Sequence, residues 1–270
     1  MNPNKVLWEK GDFTRIAATM RDSGRELVGS LKIEAGMDIL DLGCGDGTTA
    51  LPAARLGANV LGIDIASNLV AAGNARAAEA ELANLQFQEG DASNLLGIAD
   101  DRFDLVISIF GAMFAPRPDD VAREMMRVTK PGGRIVMGNW IPGDPTLVAQ
   151  ILKISAAYSP AHPDGFVSPV TWGIEATARE RFGTAGIPSD CVICEKTSYT
   201  FQHAGPPTEL LDVFRNYYGP TMNAFAAAEG NGRSVALYDE LSALFTAQNQ
   251  GGPTETTIPA TFLKVTVHKP

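Results

Sequence analysis

Three glycines and two aspartates lie within one short stretch of the chain, ILDLGCGDGTTA, at residues 39–50. The aspartates are Asp41 and Asp46, and the glycines occupy alternate positions after an apolar run: Gly43, Gly45 and Gly47. Glycine lets the backbone approach a ligand closely and adopt positive φ. Free N–H groups at the start of a following helix point at such a ligand. The stretch therefore predicts a loop that binds a small ligand through its backbone.

Two further carboxylates end the next strand-like segments. Asp64 ends ANVLGID, about 20 residues after Gly43, and an acidic residue at that spacing accepts hydrogen bonds from ribose hydroxyls. Asp91, in EGDASNL, ends the following segment. The spacing predicts that the chain binds a nucleoside.

The glycine spacing and the charge around it bear on which nucleoside is bound. The dinucleotide pattern is G-x-G-x-x-G, whereas the third glycine here comes one residue early, in GCGDG. Asp41 and Asp46 add negative charge where a pyrophosphate would lie. S-adenosylmethionine, which carries an ammonium and a sulfonium, fits that charge better than a dinucleotide. A nicotinamide-dependent oxidoreductase and a non-catalytic nucleoside-binding protein remain as alternatives.

Short apolar runs alternate with helical segments from Met37 to Trp140. Ser67 is expected to cap the alanine-rich helix that follows Asp64. In DDVAREMMRVTK the apolar residues recur at helical spacing. This alternation predicts a parallel sheet with helices on both faces, and ligands on such sheets bind at the carboxyl ends of the strands. After Trp140 the regularity lapses into a segment rich in proline, glycine and apolar residues.

Five segments, in order, resemble the motifs of class I S-adenosylmethionine-dependent methyltransferases, most of all the ubiquinone/menaquinone-biosynthesis-type small-molecule branch. The resemblance spans residues 8–140, and the segments are ILDLGCGDG, VLGIDIA, FQEGDASNL, FDLVISIFGAMFAP and VTKPGGRIVMGNW. It implies an α/β fold, with a doubly wound, mostly parallel seven-stranded sheet of Rossmann-like type. It also implies an antiparallel last strand, paired as a final hairpin.

The same resemblance implies roles for individual residues. The loop 43–47 would hold the methionine part and the ribose, Asp64 would accept the ribose hydroxyls, and Ile65 would stack on adenine. Asp91 and Ala92 would bind the adenine edge, and the residue ending the fourth strand would offer its carbonyl to the amino group. The predicted cofactor-binding residues are Asp41, Gly43, Cys44, Gly45, Gly47, Asp64, Ile65, Asp91, Ala92 and Ile109.

Methyl transfer from a sulfonium is an in-line displacement, so alignment of the reactants matters most. Aromatic side chains favour the cationic donor, and a dry pocket excludes water. His162 is a candidate general base. After the fourth strand, SIFGAMF lacks the Asn/Asp-Pro-Pro-aromatic pattern of enzymes that methylate amino groups of bases or glutamine. This favours a small or lipid-like acceptor, and the residues expected around it are Trp8, Phe13, Met113, Phe114, Trp140 and Tyr217, with the adjacent Tyr218 a further candidate.

These assignments divide the chain into a central core and a surrounding cover. We expect a cofactor-binding core at 37–140, completed by terminal strands at 190–204 and 256–270. The remaining segments are expected to form an N-terminal helical lid and substrate-cover insertions, at 1–36, 141–189 and 205–255.

Composition excludes several other functions. The 270 residues carry a net charge of −9, which argues against a nucleic-acid partner. No apolar run reaches the ~20 residues of a membrane-spanning helix, and the N-terminus lacks a signal-peptide core, so a cytoplasmic location without membrane insertion is expected. Cys191 and Cys194 form a C-x-x-C pair, but no second pair or nearby histidine completes a metal site, so none is predicted.

Overall fold

Strands and helices alternate along most of the chain in a computed structural model that describes residues 4–160 and 165–270. The strands are β1 Asp38–Leu42, β2 Asn59–Asp64, β3 Leu85–Glu89, β4 Phe103–Ile109, β5 Thr129–Trp140, β6 Val192–His203 and β7 Thr256–His268. The α-helices are α1 Asn4–Lys10, α2 Phe13–Ala18, α3 Arg21–Ser30, α4 Ala50–Arg55, α5 Ser67–Glu79, α6 Pro118–Val128, α7 Leu147–Tyr158, α8 Glu175–Thr184, α9 Pro207–Tyr217, α10 Gly219–Gly230 and α11 Ser234–Gln248.

The seven strands form one sheet, in the order β3-β2-β1-β4-β5-β7-β6. Strands β1 to β5 pair in parallel, whereas β7 runs antiparallel to both of its neighbours, β5 and β6. The predicted fold class, a doubly wound and mostly parallel sheet with an antiparallel last strand, is therefore confirmed. From β1 the chain first adds strands on one side and then, with β4, on the other. The topological switch point therefore lies between the paired strands β1 and β4.

Both faces of the central strands are buried, which explains their nearly continuous apolar sequences. Successive side chains alternate between two clusters: Leu40 and Val106 pack into one, and Ile39 and Leu105 pack into the other. Helices cover the two faces, as parallel strands require. The strand ends are consequently held in register by packing from both sides.

Helix α6 follows its sequence pattern closely. It starts at Pro118, carries Asp119 and Asp120 in its first turn, and buries Val121 and Met125. The fixed φ of proline suits the first helical position, and the carboxylates complement the helix dipole.

The expected cap of α5 is wrong. Ser67 is the first residue of the helix rather than the residue before it, and Ala66 precedes it. The Ser67 side chain and backbone N–H both donate to the Glu9 carboxylate of α1, at 2.7 and 3.1 Å. A carboxylate from another helix therefore satisfies this N-terminus, which a local sequence pattern does not reveal.

The last two strands pair along their whole length but do not form a tight hairpin. The register runs from Val192 opposite Val267 to His203 opposite Thr256. Helices α9, α10 and α11 lie between them in the chain and pack together with α7. Helices α1 and α2 pack against this group as well as against α5. The helical group contacts the sheet at β7 through α7 and α11, and Val148, Phe214 and Tyr218 share a cavity with Phe110 and Trp140.

The cysteines carry no cross-link in this fold. Cys191 ends a short 3₁₀ turn that begins at Ser189, Cys194 lies in β6, and both are free, as is Cys44. Within residues 4–160 and 165–270, no group of three or more His, Cys, Asp or Glu side chains is arranged to hold a metal ion. In the same ranges, no helix is both long and apolar enough to cross a membrane.

Candidate active site

An open cleft lies at the switch point between β1 and β4, with about 950 Å³ of empty space. We call it the outer cleft. Its floor is the glycine loop after β1 and the segment after β4, and its cover comes from α1 and α2. The residues around it include Trp8, Phe13, Met20, Gly43, Cys44, Gly45, Asp46, Thr48, Asp64, Ile65, Gly90, Ala92, Ile109, Phe110, Ala112, Phe114 and Tyr199.

The three loop glycines have positive φ for different reasons. Gly43, at φ 67°, faces the chain after β4, and a Cβ there would lie 2.6 Å from the Cα of Gly111. At Gly47, at φ 88°, a Cβ would lie 2.6 Å from the ring of Phe87. Gly45, at φ 55°, has only one side-chain atom within 4 Å of such a Cβ, at 3.9 Å on Phe13. The lack of a side chain at Gly43 and Gly47 therefore lets neighbouring residues pack against the loop backbone. At Gly45 it leaves the backbone bare toward the outer cleft.

Asp64 ties the end of β2 to this loop. One carboxylate oxygen accepts from the Gly45 N–H at 2.8 Å and the other from the Ala66 N–H at 2.9 Å. Burial raises the pKa of Asp64, and these backbone hydrogen bonds oppose that rise. An ionised carboxylate accepts about four hydrogen bonds. Asp64 is thus held in place with acceptor capacity left on the wall of the outer cleft.

Asp41 lies beneath the loop rather than in the wall of the outer cleft. It is 1% exposed, and one of its oxygens accepts from the Thr49 hydroxyl at 2.5 Å. The other oxygen, Oδ1, has no hydrogen-bond partner within the described residues. Burial raises the pKa of Asp41 to about 7, and the Asp64 carboxylate adds to the rise. Asp41 is therefore largely neutral below pH 7.

Asp46 does not supply free negative charge to the ligand, contrary to the expectation from the sequence. Its carboxylate is 1% exposed and pairs with Arg21 at 2.7 Å and Arg76 at 3.3 Å. Arg76 also donates to the Asp46 carbonyl at 2.5 Å. Two cations neutralise this carboxylate and attach the glycine loop to α3 and α5.

The remaining predicted cofactor residues divide into two groups. Ile65, Ala92 and Ile109 lie on the outer cleft together with the glycine loop. Asp91 does not, because its carboxylate accepts from the Ser93 N–H and hydroxyl, at 2.8 and 2.7 Å, and so shapes a turn. That turn presents its neighbours to the cleft.

A second, smaller cavity with about 340 Å³ of empty space adjoins the outer cleft. We call it the inner cavity. Eight aromatic and three aliphatic side chains line it: Trp8, Phe13, Phe110, Phe114, Trp140, Phe201, Phe214 and Tyr218, with Ile16, Met20 and Val148. Both spaces share part of their walls: Trp8, Phe13, Met20, Phe110 and Phe114.

The predicted acceptor residues are only partly assembled here. Trp8, Phe13 and Phe114 lie together, with the Trp8 ring 5.7 Å from that of Phe13 and 5.0 Å from that of Phe114. Trp140 lines the inner cavity beside them.

Three other candidates are not part of that group. Met113 is 1% exposed and belongs to the core, and Tyr217 lies outside both spaces, with Arg15 5.9 Å from its ring centroid. His162 lies outside the described residues.

Sequence reasoning missed several residues of these walls. Phe110 has φ 63°, a rare conformation for a bulky side chain, and its ring stacks on Trp140 at 3.7 Å. Nothing in the letters SIFGAMF indicates that backbone conformation. Tyr199 could have been found, because strand alternation in SYTF pairs it with Phe201 on one face. Of the two adjacent tyrosines that the sequence offers for the acceptor pocket, Tyr218 lines the inner cavity and Tyr217 does not.

Comparison with known proteins agrees with this geometry. The family described as "Methyltransferase domain" matches residues 40–137. Rv1403c of Mycobacterium tuberculosis strain H37Rv, an uncharacterized protein, is 34% identical over 240 residues, which cover 87% of this chain and 84% of the relative. A ubiquinone biosynthesis O-methyltransferase of Albidiferax ferrireducens is 40% identical over 99 residues, 37% of this chain and 39% of that enzyme.

A solved structure shares the fold at low sequence identity. Haemonchus contortus phosphoethanolamine N-methyltransferase 2, in complex with S-adenosyl-L-methionine, superposes with a TM-score of 0.60 and 15% identity, over 100% of this chain and 60% of that one. The matched domain contains the glycine loop, Asp64 and the segment after β4. The sequence similarities and the sheet order show that the chain belongs to the class I S-adenosylmethionine-dependent methyltransferases.

Proposed function

We propose that this chain transfers a methyl group from S-adenosylmethionine to a small, partly apolar organic acceptor. The observation that carries the proposal is the junction of two spaces with opposite character. The outer cleft has bare backbone and a carboxylate, whereas the inner cavity is aromatic, and the two share a wall. Such a pair of spaces suits a polar donor and an apolar acceptor that must meet.

The residues of the outer cleft fit the cofactor. Gly45 exposes backbone where the methionine part and ribose would lie, and Asp64 retains acceptor capacity for the ribose hydroxyls. Ile65 and Ala92 would bound the adenine, and the Ile109 carbonyl would receive an amino group. The buried carboxylates of Asp41 and Asp64 lie near Cys44 and favour a positively charged ligand whenever they are ionised.

When bound, the cofactor supplies a methyl group that is already activated as a sulfonium, so the protein needs no covalent intermediate. The chain's own contribution is orientation and exclusion of water. Trp8, Phe13 and Phe110 line both spaces at their junction. Their ring faces also favour a cation beside them.

We assign the cover of the acceptor to the segments outside the sheet. Residues 1–36 supply Trp8, Phe13 and Met20, residues 141–189 supply Val148, and 205–255 supply Phe214 and Tyr218 to the inner cavity. The core at 37–140 and the strands at 190–204 and 256–270 form the platform. With a net charge of −9, this arrangement supports a small organic acceptor over a nucleic acid.

Titration calorimetry with S-adenosylhomocysteine tests the proposal and separates it from a nicotinamide-dependent oxidoreductase. We expect the wild-type chain to bind S-adenosylhomocysteine and to ignore NAD⁺. Asp64→Asn should weaken S-adenosylhomocysteine binding by about 1–3 kcal/mol, since a charged hydrogen-bond acceptor is lost.

Asp190→Asn, at an exposed position, is the matched control and should bind like the wild type. Preference for NAD⁺, or equal affinities for the two variants, would contradict the cofactor assignment. Release of S-adenosylhomocysteine from S-adenosylmethionine, screened over small acceptors, then identifies the reaction.

A further inference from the structure

The wall of the inner cavity carries no charged side chain within the described residues. Its polar side-chain atoms are the two indole N–H groups of Trp8 and Trp140 and the hydroxyl of Tyr218. An anionic group placed among these rings would lose its hydration without gaining a cationic partner, which is strongly unfavourable. The cavity therefore discriminates against negatively charged groups.

Tyr218 differs from the two tryptophans of this wall, because its hydroxyl can both donate and accept a hydrogen bond, whereas an indole N–H only donates. Tyr218 is 5% exposed, and burial alone raises the pKa of its hydroxyl, with no contribution from a hydrogen bond or a charge. Within residues 4–160 and 165–270 the hydroxyl has no hydrogen-bond partner. The hydroxyl is not one of the fully buried polar atoms without a partner, so it keeps some contact with solvent. A ligand in the cavity can replace that solvent with a direct hydrogen bond.

The surrounding rings position this hydroxyl. The Tyr218 ring lies 5.5 Å from Phe214, 6.1 Å from Trp8 and 6.2 Å from Phe13, measured between centroids. Trp8 and Phe13 also face the outer cleft, whereas Tyr218 does not. Tyr218 therefore belongs to the part of the inner cavity wall that the outer cleft does not share.

We propose that Tyr218 is a specificity-determining residue that selects a flat, largely hydrocarbon acceptor without a negative charge and with a hydrogen-bonding group on the side away from the outer cleft. The proposal rests on the proposed function, because it concerns the acceptor side of the same site. The aromatic walls bind the hydrocarbon part by its faces and edges. A neutral hydroxyl, which both donates and accepts, satisfies either an alcohol or a carbonyl of the acceptor.

Three probes with the same ring and chain isolate charge and hydrogen bonding: 4-propylphenol, propylbenzene and 4-propylbenzoate. Their dissociation constants are measured by calorimetry at pH 7, where the phenol is neutral and the benzoate is ionised. We expect the phenol to bind at least tenfold tighter than the benzoate. Tyr218→Phe should weaken the phenol about fivefold, the size of one neutral hydrogen bond, and leave propylbenzene unchanged.

The neighbouring substitution Tyr217→Phe is the control, since the Tyr217 ring lies outside both spaces. It should leave all three affinities unchanged, and thermal unfolding should match the wild type for both variants. Benzoate binding as tightly as the phenol, equal losses for phenol and propylbenzene in Tyr218→Phe, or no binding of any probe would overturn the proposal.

S-adenosylhomocysteine binding, measured separately on the same preparations, keeps the two proposals distinct. If S-adenosylhomocysteine binds and the probes do not, only the acceptor inference fails. If the probes bind as expected and S-adenosylhomocysteine does not, the cofactor assignment fails and the selectivity of the inner cavity stands.

Discussion

Two glycines from distant parts of the chain determine how closely β1 and β4 approach at the outer cleft. A Cβ on Gly111 would lie 2.2 Å from the Gly43 carbonyl oxygen, and a Cβ on Gly43 would lie 2.6 Å from the Gly111 Cα. Nearby, the Ser108 hydroxyl donates to the Leu42 carbonyl at 2.6 Å and accepts from the Ala112 N–H at 3.0 Å. The two strand ends thus meet backbone to backbone, with one hydroxyl bridging them.

Gly111→Ala is therefore expected to be strongly destabilising, by about 3 kcal/mol or more, because the obstructing atoms are backbone and cannot rotate away. Urea unfolding measures the loss. Gly29→Ala is the matched control, since nothing lies within 4 Å of a Cβ at this position of α3. It should be neutral or stabilising by up to about 1 kcal/mol. Equal effects of the two substitutions would refute the close-approach argument.

Some site residues can be predicted from the sequence because their chemistry is local. Asp64 is one, since its spacing from the glycine loop indicates its place at a strand end. Phe110 is different, because a left-handed backbone at a phenylalanine depends on tertiary packing. The sequence also does not tell which of Tyr217 and Tyr218 reaches the inner cavity, because five segments of the chain build that cavity. Asp46 illustrates the opposite error: its charge is evident in the sequence, but the two arginines that neutralise it come from helices before and after it.

At the scale of elements, α1 covers the outer cleft without being embedded in the core. None of its residues is fully buried. Glu9 accepts from Ser67 at the start of α5, Lys5 pairs with Glu89 at the end of β3, and Trp8 reaches the aromatic cluster. Helices held by polar contacts and few buried side chains open more easily than core elements. We therefore expect α1 to move during ligand exchange.

Glu9→Ala removes the contact with α5 and should speed dissociation of S-adenosylhomocysteine severalfold, while global unfolding changes little. Stopped-flow displacement measures the rate. Glu26→Ala, at an exposed position of α3, provides the comparison and should dissociate at the wild-type rate. A rate unaffected by Glu9→Ala would mean that α1 does not limit exchange.

Strands β1, β2, β4 and β5 could be predicted from their apolar runs and the helices between them, whereas the edge strand β3 alternates, burying Leu85 and Phe87 and exposing Gln86. The placement of α9 to α11 against α7 could not. Their apolar faces indicate burial but do not indicate a partner. Only the complete packing of α7 with these helices shows which surface they cover.

For the whole molecule, the buried carboxylate of Asp41 links stability to pH. Its pKa is about 7 in the folded chain against an ordinary 3.8. As pH rises from about 4 to 7, the unfolded chain releases this proton before the folded chain does. Asp41 therefore makes folding less favourable by about 1.4 kcal/mol for each pH unit in that window, and the loss persists above it.

Asp41→Asn removes the ionisation and keeps the shape of the side chain. The free energy of unfolding of the variant minus that of the wild type should therefore be larger at pH 8 than at pH 5. Urea unfolding of both proteins at these two pH values measures the difference. Asp239→Asn, an exposed acid on α11, should show no such trend. A difference that is independent of pH would contradict the raised pKa of Asp41.

The position of β7 has a consequence for how the chain folds as it leaves the ribosome. This strand lies between β5 and β6 in the sheet but follows both in the chain. A nascent chain that has emerged only as far as α11 holds β5 with an unpaired edge and β6 with no strand to join. Unpaired edges template association with other chains. The helices between β6 and β7 thus lengthen the interval of synthesis during which a chaperone must shield that edge.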